Sequence, residues 1–131
     1  MMTDNNVKTL KTIVIAERCF SLKVDLNKQV VVRLGAPRFV DKEDWRCEFI
    51  IDGISEISGI RFAVGIDAFH SLIGALELIR QVLEPYRNDL VWEFGYEGDL
   101  GFYAIIPMLL GVEFYDRMKT LIDEEAHKIM K

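Results

Sequence analysis

Two histidines, two cysteines and a few clustered carboxylates are the residues of this chain whose types could do chemistry. Asp67 and His70 stand three apart at the head of "GIDAFHSLIGALELIRQVLE" (65–84). That spacing suits acid–base work if an orienting partner and a nucleophile or water come within reach. It also has a plainer reading. A carboxylate at a helix start accepts hydrogen bonds from the unpaired N–H groups of the first turn, and its charge suits the positive helix end. His70 then falls at the third helical position, where Glu or Gln completes a capping box, in a polar stripe that faces solvent. We read Asp67 as a helix cap and assign no catalytic residue.

The other candidates point the same way. His127 lies near the end of a C-terminal helical stretch, where a cation meets the negative helix end. Without HExxH or a Cys/His cluster, no metal site is expected. Cys47 alternates with Trp45 and Phe49 on a strand side that reads as core, where a thiol is inert. Cys19 and Cys47 lack CxxC spacing and read as buried reduced thiols. Glu93, Glu97 and Asp99 gather at a hairpin tip but match no calcium loop, so they read as solvated. No GxGxxG, GxxxxGK[ST] or GxSxG occurs, and no cofactor is expected.

The elements that must position these residues follow from composition and period. A chain of 131 residues, 50% hydrophobic and 28% charged, matches one globular domain over 1–131 with a flexible end at 1–11. The net charge of -5 is uneven: residues 1–66 hold 10 basic and 9 acidic side chains, residues 67–131 hold 6 and 12. An acidic chain without a basic stripe is a poor nucleic-acid binder. The start has no signal-peptide pattern, and the longest apolar run, "FYAIIPMLLGV", is about half a membrane span and carries Pro107. A cytoplasmic protein without membrane contact is expected.

Residues 12–24 put Ile13 and Ile15 on one parity and Phe20, Leu22 and Val24 on the other, which calls for a bulge near Ala16 to Arg18. "DLNK" (25–28) reads as a turn before a strand through Val30, Val32 and Leu34, which Pro37 should end. "WRCEFII" places Trp45, Cys47, Phe49 and Ile51 on one face and Arg46 and Glu48 on the other; "IRFAVGI" places Ile60, Phe62, Val64 and Ile66 together. From Ala68 to Glu84 the period becomes helical, with Ala68, Leu72, Ala75, Leu76, Ile79, Val82 and Leu83 on one face. "LVWEF" and "GFYAII" read as a second hairpin, and the segment from Val112 as a second amphipathic helix. The expected fold class is α+β, a single domain with a mostly antiparallel β-sheet packed by two amphipathic helices.

Two binding surfaces follow. Arg33, Arg38, Arg46 and Arg61, read as outward on neighbouring strands, would make a basic face for an acidic partner unless Glu48 and Asp52 neutralise it. Trp92, Tyr96 and Tyr103 would line a pocket between the helix at 68–84 and the hairpin at 90–106.

"LGAPR" (34–38), "DWRC" (44–47) and "GIDAFHSLIGAL" (65–76) in succession resemble a family of small uncharacterised bacterial proteins with the pattern G-x-P-R, D-W-R-C and G-V-D-x-x-Q-A-L. The resemblance covers roughly residues 30–85. It implies a bacterial protein of unknown function in which Gly35, Pro37, Arg38, Trp45, Cys47, Gly65, Asp67, Ala75 and Leu76 recur. Here His70 stands where the pattern has glutamine, which suits capping and not proton transfer. The expected function is a non-enzymatic protein-interaction module, immunity- or regulator-like, that binds a protein partner or itself; the alternative is a small-molecule binder or enzyme using the aromatic pocket.

Overall fold

The computed structural model describes residues 9–42, 44–106, 108 and 110–130. Most of the expected flexible end, residues 1–8, lies outside them. The fold class is the expected one: α+β, with a six-stranded antiparallel sheet and two helices.

β1 (Val14–Leu22) pairs with β2 (Asp25–Gly35), and β2 pairs with the second half of β4 (Asp44–Asp52). β3 (Arg38–Asp41) continues along the same edge of β4, so Ala36 and Pro37 interrupt one long strand. Proline has no N–H for the ladder, and the strand resumes one residue out of register. β5 (Ile60–Gly65) lies on the opposite edge of β4, and β6, only Leu90–Val91, pairs with β1. The bulge in β1 falls between Val14 and Ala16, slightly earlier than its alternation suggests. The turn before β2 also differs: Lys23 and Val24 make it, while Asp25 to Asn27 form a local turn inside the start of β2, with the Asn27 N–H donated to the Asp25 carboxylate at 3.1 Å.

The helix-facing side of the sheet carries Phe20, Val30, Val32, Leu34, Cys47, Phe49 and Ile51, all buried. α1 (Ala68–Leu83) covers β4 and β5 and buries Ser71, Ala75, Ile79 and Leu83. The 52–59 connection, loop-like in composition, forms a 3-10 turn at Ser55–Ile57 and sends Ile54 and Ile57 into the same core.

The parity of β5 reverses the sequence expectation. Arg61, Ala63 and Gly65 oppose Phe49, Cys47 and Trp45 and so face α1, while Ile60, Phe62 and Val64 turn to the outer face. Only Ile66 and Asp67 separate β5 from α1, so the helix must descend onto its own strand. Small residues permit this: a Cβ on Gly65 would overlap the backbone nitrogen of Ser71, and a Cβ on Gly74 would lie 3.1 Å from that of Ala63. The buried face of the helix therefore turns toward Ser71 and Ala75, leaving Phe69, Ile73 and Leu76 exposed.

The second hairpin is absent: among the described residues 92–106 no strand forms. Gly98 and Gly101 have positive φ, and turns at Gly95 and Asp99 fold the segment back on itself. α2 (Val112–Ile129) is a helix of 18 residues that buries none of them. α1 and the 92–104 segment already cover the helix-facing side of the sheet, which leaves α2 no place there. No helix among the described residues is long and apolar enough to cross a membrane.

Candidate functional site

Local rules set the helix entry. The Asp67 carboxylate accepts the His70 N–H at 2.7 Å, and His70 Nδ1 accepts the Ile66 N–H at 3.1 Å. His70 thus returns a bond to the residue preceding the cap, a variant of the capping box. The imidazole is engaged in holding the turn between β5 and α1.

The cleft that α1 and the aromatic segment do enclose is at the other end of the helix. It has a volume of about 360 Å³ and is lined by Arg80 and Leu83 of α1, by Glu84 and Arg87 of the turn after it, and by Gly98 to Leu100 and Phe102 to Ala104. Arg80 is held by Glu77, and Arg87 lies 3.6 Å from Glu84. The Arg80 hydrogen bond keeps the Glu77 carboxyl below its ordinary range. Asp99 Oδ1 accepts the Gly101 N–H at 2.9 Å, and the Tyr103 hydroxyl donates to Asp99 Oδ2 at 3.4 Å. Desolvation, with Asp99 adding to it, raises the Tyr103 phenol above its ordinary value, so it stays a donor at neutral pH.

Arg18 pins this segment to the sheet. Its guanidinium stacks 4.3 Å from the Trp92 ring and 4.7 Å from that of Phe102, and it donates to the Leu100 carbonyl at 3.2 Å. Gly101 is required beneath it, because a Cβ there would overlap both Arg18 and Trp92. Lys23 and Glu97 make a further tie at 2.7 Å, which holds the Glu97 carboxyl low.

The structure separates the three aromatics read as pocket residues. Tyr103 lines the cleft, Trp92 is half-buried under Arg18, and Tyr96 is 90% exposed beside Lys23 and Asn88. Arg18, Arg80 and Arg87 are not among the expected site residues, and Asp99, expected as a solvated carboxylate, lines the cleft. The one signal was for Arg80, on the expected helix at 68–84, whereas Arg87 lies beyond the end of α1, in a 3-10 turn at Glu84–Asp89. Arg18 had none, since its aromatic partners are more than 70 residues away in the chain.

The arginines of the sheet divide as well. Arg33 pairs with Glu17 at 2.8 Å and with Asp52; Arg38 approaches Glu48 at 3.7 Å; Arg46 approaches Asp44 at 3.4 Å and covers the Phe62 ring at 4.8 Å. These three share the outer face and each has a carboxylate partner. Arg61 is a correction: it faces the α1 side, opposite Phe49, with its Nε buried and without a hydrogen-bond partner among the described residues.

Glu48, expected outward and open, is buried because residues 10–12 cross this face over Gly35, and it accepts the Lys11 N–H at 2.9 Å. Cys47 is buried, donates to the Gly35 carbonyl at 3.4 Å, and has its thiol pushed up to about 11 by burial and by Glu48. Cys19 is exposed, against the expectation of two buried thiols, because its parity on β1 points outward. Both thiols are free.

No group of metal-ligating side chains comes together among the described residues. No curated protein and no solved structure matches the chain at a significant level. Residues 16–104, from β1 through the segment that Arg18 holds down, match the family described as Domain of unknown function (DUF6968), and the chain belongs to that family.

Proposed function

We propose that the chain is a non-enzymatic protein-interaction module of a bacterial cytoplasm, immunity- or regulator-like, that takes its partner on the outer face of the sheet. The observation that carries this reading is the apolar strip of β5. Phe62 and Val64 are 44% and 53% exposed, Ile50 and Ile60 lie beside them, and Arg46 stacks on Phe62. A solvated sheet face ordinarily alternates to polar residues. Aromatic and arginine side chains together are enriched where protein surfaces meet. Because Arg33, Arg38 and Arg46 are paired, binding rests on apolar contact and is only weakly salt-sensitive.

Capture from a bacterial lysate with wild type and with a Phe62→Asp, Val64→Asp double variant tests this. Capture of a distinct protein by the wild type alone, with both baits equally stable to heat, supports the reading. Equal capture by both, or by neither, removes it.

The cleft favours a second reading, a small-molecule site. Arg87, half exposed and held only loosely by Glu84 at 3.6 Å, beside the Phe102 ring suits a small anion with an apolar part that displaces that contact. A thermal-shift screen of carboxylate and phosphate metabolites would find a stabilising compound whose effect is lost in Arg87→Ala; no hit would end this reading.

A further inference from the structure

α2 lies outside the family match at 16–104, and it exposes Leu121 by 51% and Ile122 by 55%. Phe114, Met118, Leu121, Ile122 and Ile129 share one side of the helix, with Glu125 interrupting them under a 3.1 Å contact from Lys128. A helix of this length holds little structure alone and needs tertiary cover for its apolar face. Among the described residues none of α2 is buried, although Phe114 and Met118 are half-buried.

We infer that α2 is a dimerisation helix, whose apolar stripe packs against α2 of a second copy in an antiparallel pair. This goes beyond the proposed partner face, which lies on the sheet and stays free in such a dimer.

The charges beside the stripe carry the choice of occupant. At about 100° per residue, Glu113, Arg117, Glu124 and Lys128 fall along one border and Lys119 along the other, with Asp116 and Asp123 behind it. In an antiparallel pair each border meets its own copy. With the two-fold axis near Leu121, Arg117 comes level with Glu124 of the second copy and Glu113 with Lys128, each pair opposite in sign. The two helix dipoles oppose, and the two domains leave from opposite ends of the pair.

A membrane surface fits less well, because interfacial helices carry Lys and Arg on the polar face. Here Glu113, Asp116, Asp123 and Glu124 occupy it, and the helix holds 5 acidic and 3 basic side chains. One helix pair buries less than the ~1,200 Å² of a standard stable interface, so the dimer is reversible.

Sedimentation of the purified full-length chain from roughly 5 to 500 μM, a span for micromolar affinity, tests the pair. The mass should rise toward twice that of the monomer. Leu121→Asp should abolish the rise without lowering the thermal midpoint of the domain. Arg117→Glu alone should weaken association about tenfold, since two symmetry-related pairs become repulsive. Arg117→Glu with Glu124→Arg should restore it.

The double variant carries the same unfavourable intrahelical neighbours as the single ones. Rescue therefore reports contact between copies and not helix strength. A wild type that stays monomeric overturns the inference, as does association that survives Leu121→Asp, rescue that fails, or a Leu121→Asp variant that melts earlier as a monomer. None of these outcomes bears on lysate capture by the sheet face.

Discussion

The two helices of this chain are both amphipathic, yet they have opposite fates. α1 buries four residues against β4 and β5, and α2 buries none. The residues at the centre of the α1 contact are small: Ser71, Gly74 and Ala75 meet Ala63 and Gly65. The large apolar residues Phe69 and Ile73, like Leu121 and Ile122 of α2, stay in water. An apolar stripe shows that a helix wants cover, whereas close approach to a strand requires small residues on both sides. α1 has them and a two-residue connection to β5; α2 has neither.

Substitutions can break that contrast. The largest effect is expected from Ile79→Ala, which empties a fully buried site and should lower stability by about 2 to 5 kcal/mol in denaturant unfolding. Gly65→Ala adds a methyl where the backbone of Ser71 already lies and should cost about 1 to 3 kcal/mol, with β5 and α1 losing hydrogen-exchange protection together. An unchanged Gly65→Ala protein would show that the helix does not rest on small residues. Asp67→Ala removes the cap and should cost about 0.5 to 2 kcal/mol. His70→Gln should cost less, since the glutamine oxygen can accept the bond that Nδ1 accepts.

A pH effect comes next and is confined to alkaline solution. The Cys47 thiol is raised to about 11 in the folded chain from an ordinary 9.0, so the folded state holds its proton longer than the unfolded state. Its contribution to stability is full below pH 9 and is lost as pH rises through 11. A thermal-midpoint titration of wild type against Cys47→Ala checks this, and a thiol reagent at pH 8 should modify Cys19 but not Cys47 until the chain unfolds. The smallest effect belongs to α2. Leu121→Ala, measured where the chain is monomeric, should change domain stability by less than about 0.5 kcal/mol, and a larger loss would show that α2 packs on its own domain.

Two misreadings locate the limit of pattern reasoning. Ile60, Phe62, Val64 and Ile66 alternate as a core face should, and Phe62, Val64 and Ile66 are exposed while Ile60 is half-buried. Alternation marks two sides of a strand but not which one receives a helix. The segment from Leu90 to Ile106 holds two apolar runs around a glycine-rich middle, as a hairpin would. Instead Arg18 lies across Trp92 and Phe102, and Gly101 makes room for it. That contact joins β1 to a segment more than 70 residues later, and nothing local announces it. The place of the cleft, between α1 and this segment with Tyr103 in its lining, was legible, but its charged lining and the part played by Arg18 were not, for the same reason.

What the sequence determined by itself is most of the inventory of elements: the antiparallel strands before residue 67, the change of period there, and two amphipathic helices. These follow from the alternation of strands, the 3.6-residue turn of helices and the bonding needs of helix ends, all of which act over a few neighbours. Only the tertiary structure decided which side of β5 faces the core, that residues 92–106 fold as a pinned loop, that Glu48 is covered, and that α2 remains uncovered. Those outcomes depend on which surfaces compete for the same side of one sheet, a competition between residues distant in the chain that no local pattern encodes.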